Sequence, residues 1–188
     1  MVQNPHIWKR AQAEIDALLG MDRLPDFAIL RETLRWQPVT PLGAMHAAIS
    51  SDIYKGFYIP KGATVVPNVW AMSRNEARYP NAEQFIPERF LTAEGTLTDD
   101  NPAKYVFGFG RRICPGRHTA DASVWSAIAT TLATLDFSAA KDAKGKDIIP
   151  QPKYISGLAR HPETFPCRIS PRSHISKASL ERILASDG

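Results

Sequence analysis

The chain has 188 residues, 44% apolar and 22% charged, with a formal charge of +4 from 23 Lys and Arg against 19 Asp and Glu. That composition excludes a wholly disordered, collagen-like or mucin-like chain, and so small and dispersed a positive surplus does not point to nucleic acid. Two cysteines, Cys114 and Cys167, cannot build a multi-disulfide framework, so any chemistry they carry is local. The longest apolar stretch free of charge and proline, residues 122–135, contains five Ser or Thr and falls short of the roughly 20 residues of a membrane span. The first five residues do not read as a signal peptide.

Proline and glycine mark out the elements in chain order. Asn4 is a capping type, Pro5 suits a first helical position, and Trp8, Ala11, Ile15 and Leu18 repeat at helical spacing before Gly20. A second helix is predicted over about 26–36, with Phe27, Leu30 and Leu34 on one face, ended by Pro38 acting on Gln37. Segments 45–49, 53–59 and 63–66 read as short strands of a small antiparallel sheet, punctuated by Lys55-Gly56 and Pro60-Lys61-Gly62. Eight prolines lie between Pro38 and Pro115, so the middle of the chain is expected to be short elements and loops. The proline-free interval 116–149 must hold the principal helix, predicted to start at Pro115 and to carry Val124, Ile128, Leu132 and Leu135 along one stripe. Residues 141–146 form a charged connection, and a tail begins at about 173.

The strongest chemical signal is the segment Phe107-Gly108-Phe109-Gly110-Arg111-Arg112-Ile113-Cys114-Pro115-Gly116. With Pro115 at the first helical position, Cys114 would be the N-cap, where unpaired N–H groups and the positive end of the helix dipole favour a thiolate. Arg111, Arg112 and Arg117 add cationic charge. Such a sulfur can ligate a soft metal or haem iron, act as a nucleophile, or sense redox state; the plain alternative is a small buried core residue. Only His118 lies near enough in sequence to suggest a zinc ligand, and one such residue does not make a zinc site. A site with a single thiolate ligand favours haem.

This segment resembles the haem-binding signature of the cytochrome P-450 family, Phe-x-x-Gly-x-Arg-x-Cys-x-Gly, at every fixed position. Glu32-Thr33-Leu34-Arg35 resembles the family's Glu-x-x-Arg helix, and Phe85-Ile86-Pro87-Glu88-Arg89-Phe90 its Pro-Glu-Arg-Phe segment. Pro41-Leu42-Gly43, His46, Tyr58-Ile59-Pro60-Lys61-Gly62, Asn68-Val69-Trp70-Ala71, Ser156-Gly157-Leu158 and His161-Pro162 resemble it in the expected order, in an idiom similar to fungal members.

The resemblance implies that Cys114 ligates the iron of haem b (iron protoporphyrin IX), with Arg112 and His46 at its propionates and Phe107, Gly110 and Gly116 shaping its cradle. It also implies a buried scaffold triad of Glu32, Arg35 and Arg89. From the residues alone, Glu32 and Arg35 are simply neighbours on one helical surface, and the plain alternative for His46 is a strand-end histidine in water. Segments 40–43 and 154–158 match parts of the family's substrate pocket.

The expected fold is the C-terminal part of the cytochrome P-450 fold, mainly α with a small antiparallel β region, and residues 1–188 read as a single partial domain. The family's distal, oxygen-activating helix is expected to be absent, and the join near Phe27 reads shorter than in relatives. Ser73, Asn75 and Thr119 depart from commoner family residues. The implied function is that of a monooxygenase inserting one atom of dioxygen into a small apolar organic substrate. Its partner would be an NADPH-cytochrome reductase, received on a cationic face at Lys104, Arg111 and Arg117, and its place the endoplasmic reticulum membrane. The alternatives are a truncated, catalytically inactive haem-binding fragment and a thiolate redox protein without haem.

Overall fold

Asn4 and Pro5 start the first helix as their chemistry dictates. In the computed structural model, which describes residues 1–18, 28–155, 157–173 and 175, α1 spans Pro5–Leu18, and the Trp8 N–H donates to the Asn4 carbonyl (3.1 Å). Its buried face holds Ile7, Trp8, Ala11, Gln12 and Ile15. The stop expected at Gly20 lies outside the described residues. So do Asp26 and Phe27, the expected start of the second helix, whose described part, α2, is Ala28–Trp36. It ends where Pro38 requires, with a last long bond from Gln37 N–H to the Thr33 carbonyl (3.4 Å).

The expected small sheet is two separate two-stranded ladders. In one, β1 (His46–Ala47) pairs antiparallel with β4 (Thr64–Val65), setting His46 opposite Val65. In the other, β2 (Asp52–Tyr54) and β3 (Phe57–Ile59) form a hairpin, so segment 53–59 folds back on itself at its punctuation. Lys55 and Gly56 both have positive φ (51° and 83°), as a two-residue hairpin loop matched to strand twist demands.

Short helices α3 (Val69–Ser73) and α4 (Ala103–Val106) follow, with a 3₁₀ turn at Pro87–Phe90 between them. The Asn68 side chain caps α3 by accepting from the Ala71 N–H (2.9 Å).

The principal helix, α5, is Arg117–Thr134. It starts two residues later than expected, because Pro115 and Gly116 form a turn in which the Arg117 N–H reaches the Cys114 carbonyl (3.4 Å). Ile128 and Leu132 are buried on it as expected, but Leu135 opens β5 (Leu135–Lys141) instead of completing the stripe. Thr134 Oγ1 bonds back to the Thr130 carbonyl (2.7 Å), and the next backbone groups pair across to β7 (Cys167–Pro171). The charged connection 141–146 is the turn between β5 and β6 (Asp147–Ile148), giving a three-stranded antiparallel sheet of order β6-β5-β7.

The chain forms two compact units: Met1–Phe27 with His118–Lys153 and Pro162–Gly188, and Ala28–Arg117 with Tyr154–His161. In the first, the Gln12 amide donates to the Leu135 carbonyl (3.0 Å) and to Asp136 Oδ1 (3.1 Å), and Trp8 meets Phe137 edge to face at 5.2 Å. In the second, Ala28, Tyr79, Ala82 and Phe90 form a buried cluster.

Candidate functional site

Two constructions in the second unit account for the residues singled out above. The first starts on α2, where Glu32 and Arg35 stand one turn apart and are both fully buried. Arg35 Nε and Nη2 grip the two Glu32 oxygens at 2.6 and 2.7 Å. Its other N–H groups donate to the carbonyls of Ser73 (2.7 Å), Ala82 (2.9 Å) and Gln84 (3.1 Å), so all five guanidinium donors are used. Glu32 also accepts from the Ile86 N–H (2.7 Å), and Arg89 Nε, in the 3₁₀ turn, approaches it at 3.4 Å. Arg89 reaches on to the carbonyls of Pro80 (3.0 Å) and Asn81 (3.4 Å). Glu32, Arg35 and Arg89 are thus brought together, and they tie α2 to the 73–84 segment and to the turn after it. A buried carboxylate tolerates its position when its charge is balanced and its lone pairs are filled, and both hold here.

Tyr79 closes this construction. Its ring faces the Arg35 guanidinium at 5.4 Å and that of Arg78 at 5.2 Å. The Tyr79 hydroxyl donates to Asp100 Oδ1 (3.3 Å) and accepts from the Tyr105 hydroxyl (3.4 Å). Burial pushes the Tyr79 phenol far above its ordinary value, and burial also raises that of Tyr105. No sequence motif announced these two tyrosines.

The second construction is the cysteine loop. It leaves α4 at Phe107 and turns through Gly108 (φ +83°) and Gly110 (φ +56°). A Cβ at either would meet no close neighbour, so the backbone angle, not space, is what requires glycine there. The Ile113 N–H donates to the Gly110 carbonyl (3.2 Å), and the Cys114 N–H returns to the Phe107 carbonyl (2.8 Å), which closes the loop and fixes the direction of the cysteine. Cys114 and Phe107 are half-buried, while Gly110, Arg111, Arg112 and Gly116 are exposed. A Cβ on Gly116 would stand 3.9 Å from Cys114 Sγ, so glycine keeps the flank of the sulfur clear.

Cys114 is not the N-cap the sequence suggested, since the helix begins at Arg117. The positive end of the helix dipole, which falls off within a turn, is therefore further from Cys114 than a capping position would set it. His46 sits half-buried on β1.

The donor set suits haem. Among the described residues no group of three or more His, Cys, Asp and Glu is gathered. The protein thus offers one soft sulfur, which fits an iron that brings four nitrogen donors of its own. Exposed Arg112 offers a fork for a carboxylate, and half-buried Phe107 an apolar surface.

The family model described as Cytochrome P450 matches residues 1–167. Cytochrome P450 monooxygenase claR of Ampulloclitocybe clavipes is 41% identical over 197 residues, covering 100% of this chain and 36% of its own length. Cytochrome P450 monooxygenase 176 of Postia placenta is 46% identical over 185 residues, covering 92% of this chain and 35% of its own. A zebrafish cytochrome P450 solved with abiraterone superposes with a TM-score of 0.74 at 28% identity, over 91% of this chain and 42% of that one. The chain therefore spans a little over a third of the length of these curated relatives. The first alignment is longer than the chain, so within the matched span this chain lacks residues that the relative has.

Proposed function

The chain belongs to the cytochrome P450 family, and from that premise we propose that it supplies the haem-ligating segment of a monooxygenase that inserts one atom of dioxygen into an organic substrate. The observation that carries this reading is the half-buried Cys114, held at the end of a glycine loop by its N–H bond to the Phe107 carbonyl.

In this reading Cys114 would hold the iron of haem b through its sulfur. Arg112 and His46 pair with its carboxylates, Phe107 packs on its apolar surface, and Gly110 and Gly116 let the loop approach closely. Glu32, Arg35 and Arg89 are positioning residues that hold the surrounding segments. Residues 1–188 act as one part of a domain. Held by that sulfur, haem would supply dioxygen activation, with the thiolate as its electron donor. The residues of this chain would orient the sulfur and shield it on the Phe107 side. An NADPH-cytochrome reductase delivers electrons to the face bearing Lys104, Arg111 and Arg117. The endoplasmic reticulum membrane is the proposed location, although no helix among the described residues is long and apolar enough to cross one.

Reconstitution with haem tests the ligand. The reduced carbon monoxide complex should show the red-shifted Soret band of thiolate ligation, lost in Cys114→Ala and kept in Cys167→Ala. A band that survives Cys114→Ala would overturn the assignment.

A further inference from the structure

A cavity of about 590 Å³ opens in the second unit between the segment after α2 and the return loop 154–161, within the size range of small-molecule sites. Its walls include Leu42, Met45, Ile155 and Leu158, all exposed to solvent although apolar (between 39% and 68%). Exposed apolar side chains converging on a cavity mark a place that gains by being covered.

One wall is different. The Arg160 guanidinium lies between two aromatic rings, 4.6 Å from the centre of Trp70 and 4.2 Å from that of Tyr154. The Trp70 ring also meets the Arg74 guanidinium, at 4.1 Å. The Arg160 backbone N–H is itself tied to the Val39 carbonyl (2.6 Å), and the loop is closed by Ile155 N–H to the His161 carbonyl (3.1 Å), so the cation is held from both ends.

The two arginines differ in their partners. Arg74 pairs with Glu83 (3.1 Å) and donates to the carbonyls of Arg35 and Trp36. Arg160 has the two rings but no carboxylate among the described residues. Stacking satisfies the faces of a guanidinium and leaves the in-plane N–H fork available, and that fork matches a carboxylate.

We infer that this cavity binds a small aliphatic acid, its chain against Leu42, Met45, Ile155 and Leu158 and its carboxylate on the fork of Arg160. Charge complementarity selects the anion: an uncharged molecule would leave the half-buried guanidinium without a charged partner, and a cation would be repelled by Arg160. That the bound acid is a substrate rests on the monooxygenase reading above; that it binds does not.

Calorimetry on the full 188-residue chain with decanoate, decan-1-ol and decyltrimethylammonium, below their aggregation limits, tests the proposal without any variant. Decanoate should bind about tenfold or more tightly than the alcohol, and the ammonium more weakly still. Arg160→Gln should bring decanoate down to the affinity of the alcohol and leave the alcohol unchanged, and Arg160→Lys should restore part of the difference. Equal affinity for acid and alcohol, or a preference that survives Arg160→Gln, would overturn it. The heat of binding needs no haem signal. Acid binding by a chain that shows no thiolate ligation would support this proposal and sink the haem reading, and thiolate ligation with no preference for the acid would do the reverse.

Discussion

The triad of Glu32, Arg35 and Arg89 and the loop that carries Cys114 lie in one unit and are built on opposite principles. Around Arg35 every donor has an acceptor, exposure is nil, and three separate segments are fastened by side chains. Around Cys114 the fastening is backbone to backbone, glycines replace side chains, and most of the loop is open to solvent. The first arrangement spends its polar groups on holding position. The second leaves them available to a ligand, which is the usual division between scaffold and site.

The sharpest way to break this contrast is to remove one buried charge. Glu32→Ala leaves Arg35 buried with two donors unpaired and should lower stability by about 3 to 5 kcal/mol, read as a shift of the urea midpoint. A loss below about 1 kcal/mol would mean that the triad is no scaffold. The loop should respond more gently. Gly110→Ala puts a Cβ on a left-handed residue with open space around it, at a cost of about 1 to 2 kcal/mol in stability. Because the strain lies four residues from the sulfur, haem affinity should fall in Gly110→Ala while Glu32→Ala shows its effect first in folding. Parallel urea and haem titrations separate the two.

The smallest effect should come from Tyr79→Phe, which removes one hydroxyl from the Tyr105 and Asp100 bonds and should cost about 0.5 to 1.5 kcal/mol at neutral pH. It also carries a pH signature. Folding raises the Tyr79 and Tyr105 phenols above their unfolded value near 10. The stability they contribute is therefore complete below about pH 10 and is lost as pH rises beyond it, since the unfolded chain releases its protons first. The decline measured from pH 9 to 11 should be shallower in Tyr79→Phe; an unchanged slope would refute the assignment.

How much of this was legible in the sequence follows the range of the interactions involved. Helix α1 could be read from Asn4, Pro5 and the spacing of Trp8, Ala11 and Ile15, all local signals. The cysteine loop was legible because its glycines, arginines and cysteine are contiguous. What failed was long-range. Leu135 continues the helical stripe by spacing, and only the partner strand, more than 30 residues further on, turns it into β5. Nothing in Cys167-Arg168-Ile169-Ser170-Pro171 announces a strand that will pair with Leu135-Asp136-Phe137-Ser138-Ala139. The same holds for the site. Glu32 and Arg35 were visible as a pair one turn apart, but the carbonyls of Ser73, Ala82 and Gln84 that complete Arg35 are backbone atoms and leave no trace in residue type. Arg160 is a single arginine until Trp70 and Tyr154 are seen on either side of it.

The fastening of α1 has a consequence for the order of events during synthesis. Gln12 finds its acceptors 123 and 124 residues later, at Leu135 and Asp136, and Asp16 pairs with Arg172 across 156 residues. At roughly 5 to 20 residues per second, a ribosome needs on the order of 10 to 30 s to make the partner of Asp16 after Asp16 itself. Until β5 is made, Ile7, Trp8, Ala11 and Ile15 have no strand to cover them, while the triad, complete by Arg89, can close early. The triad can therefore form well before the buried face of α1 is covered.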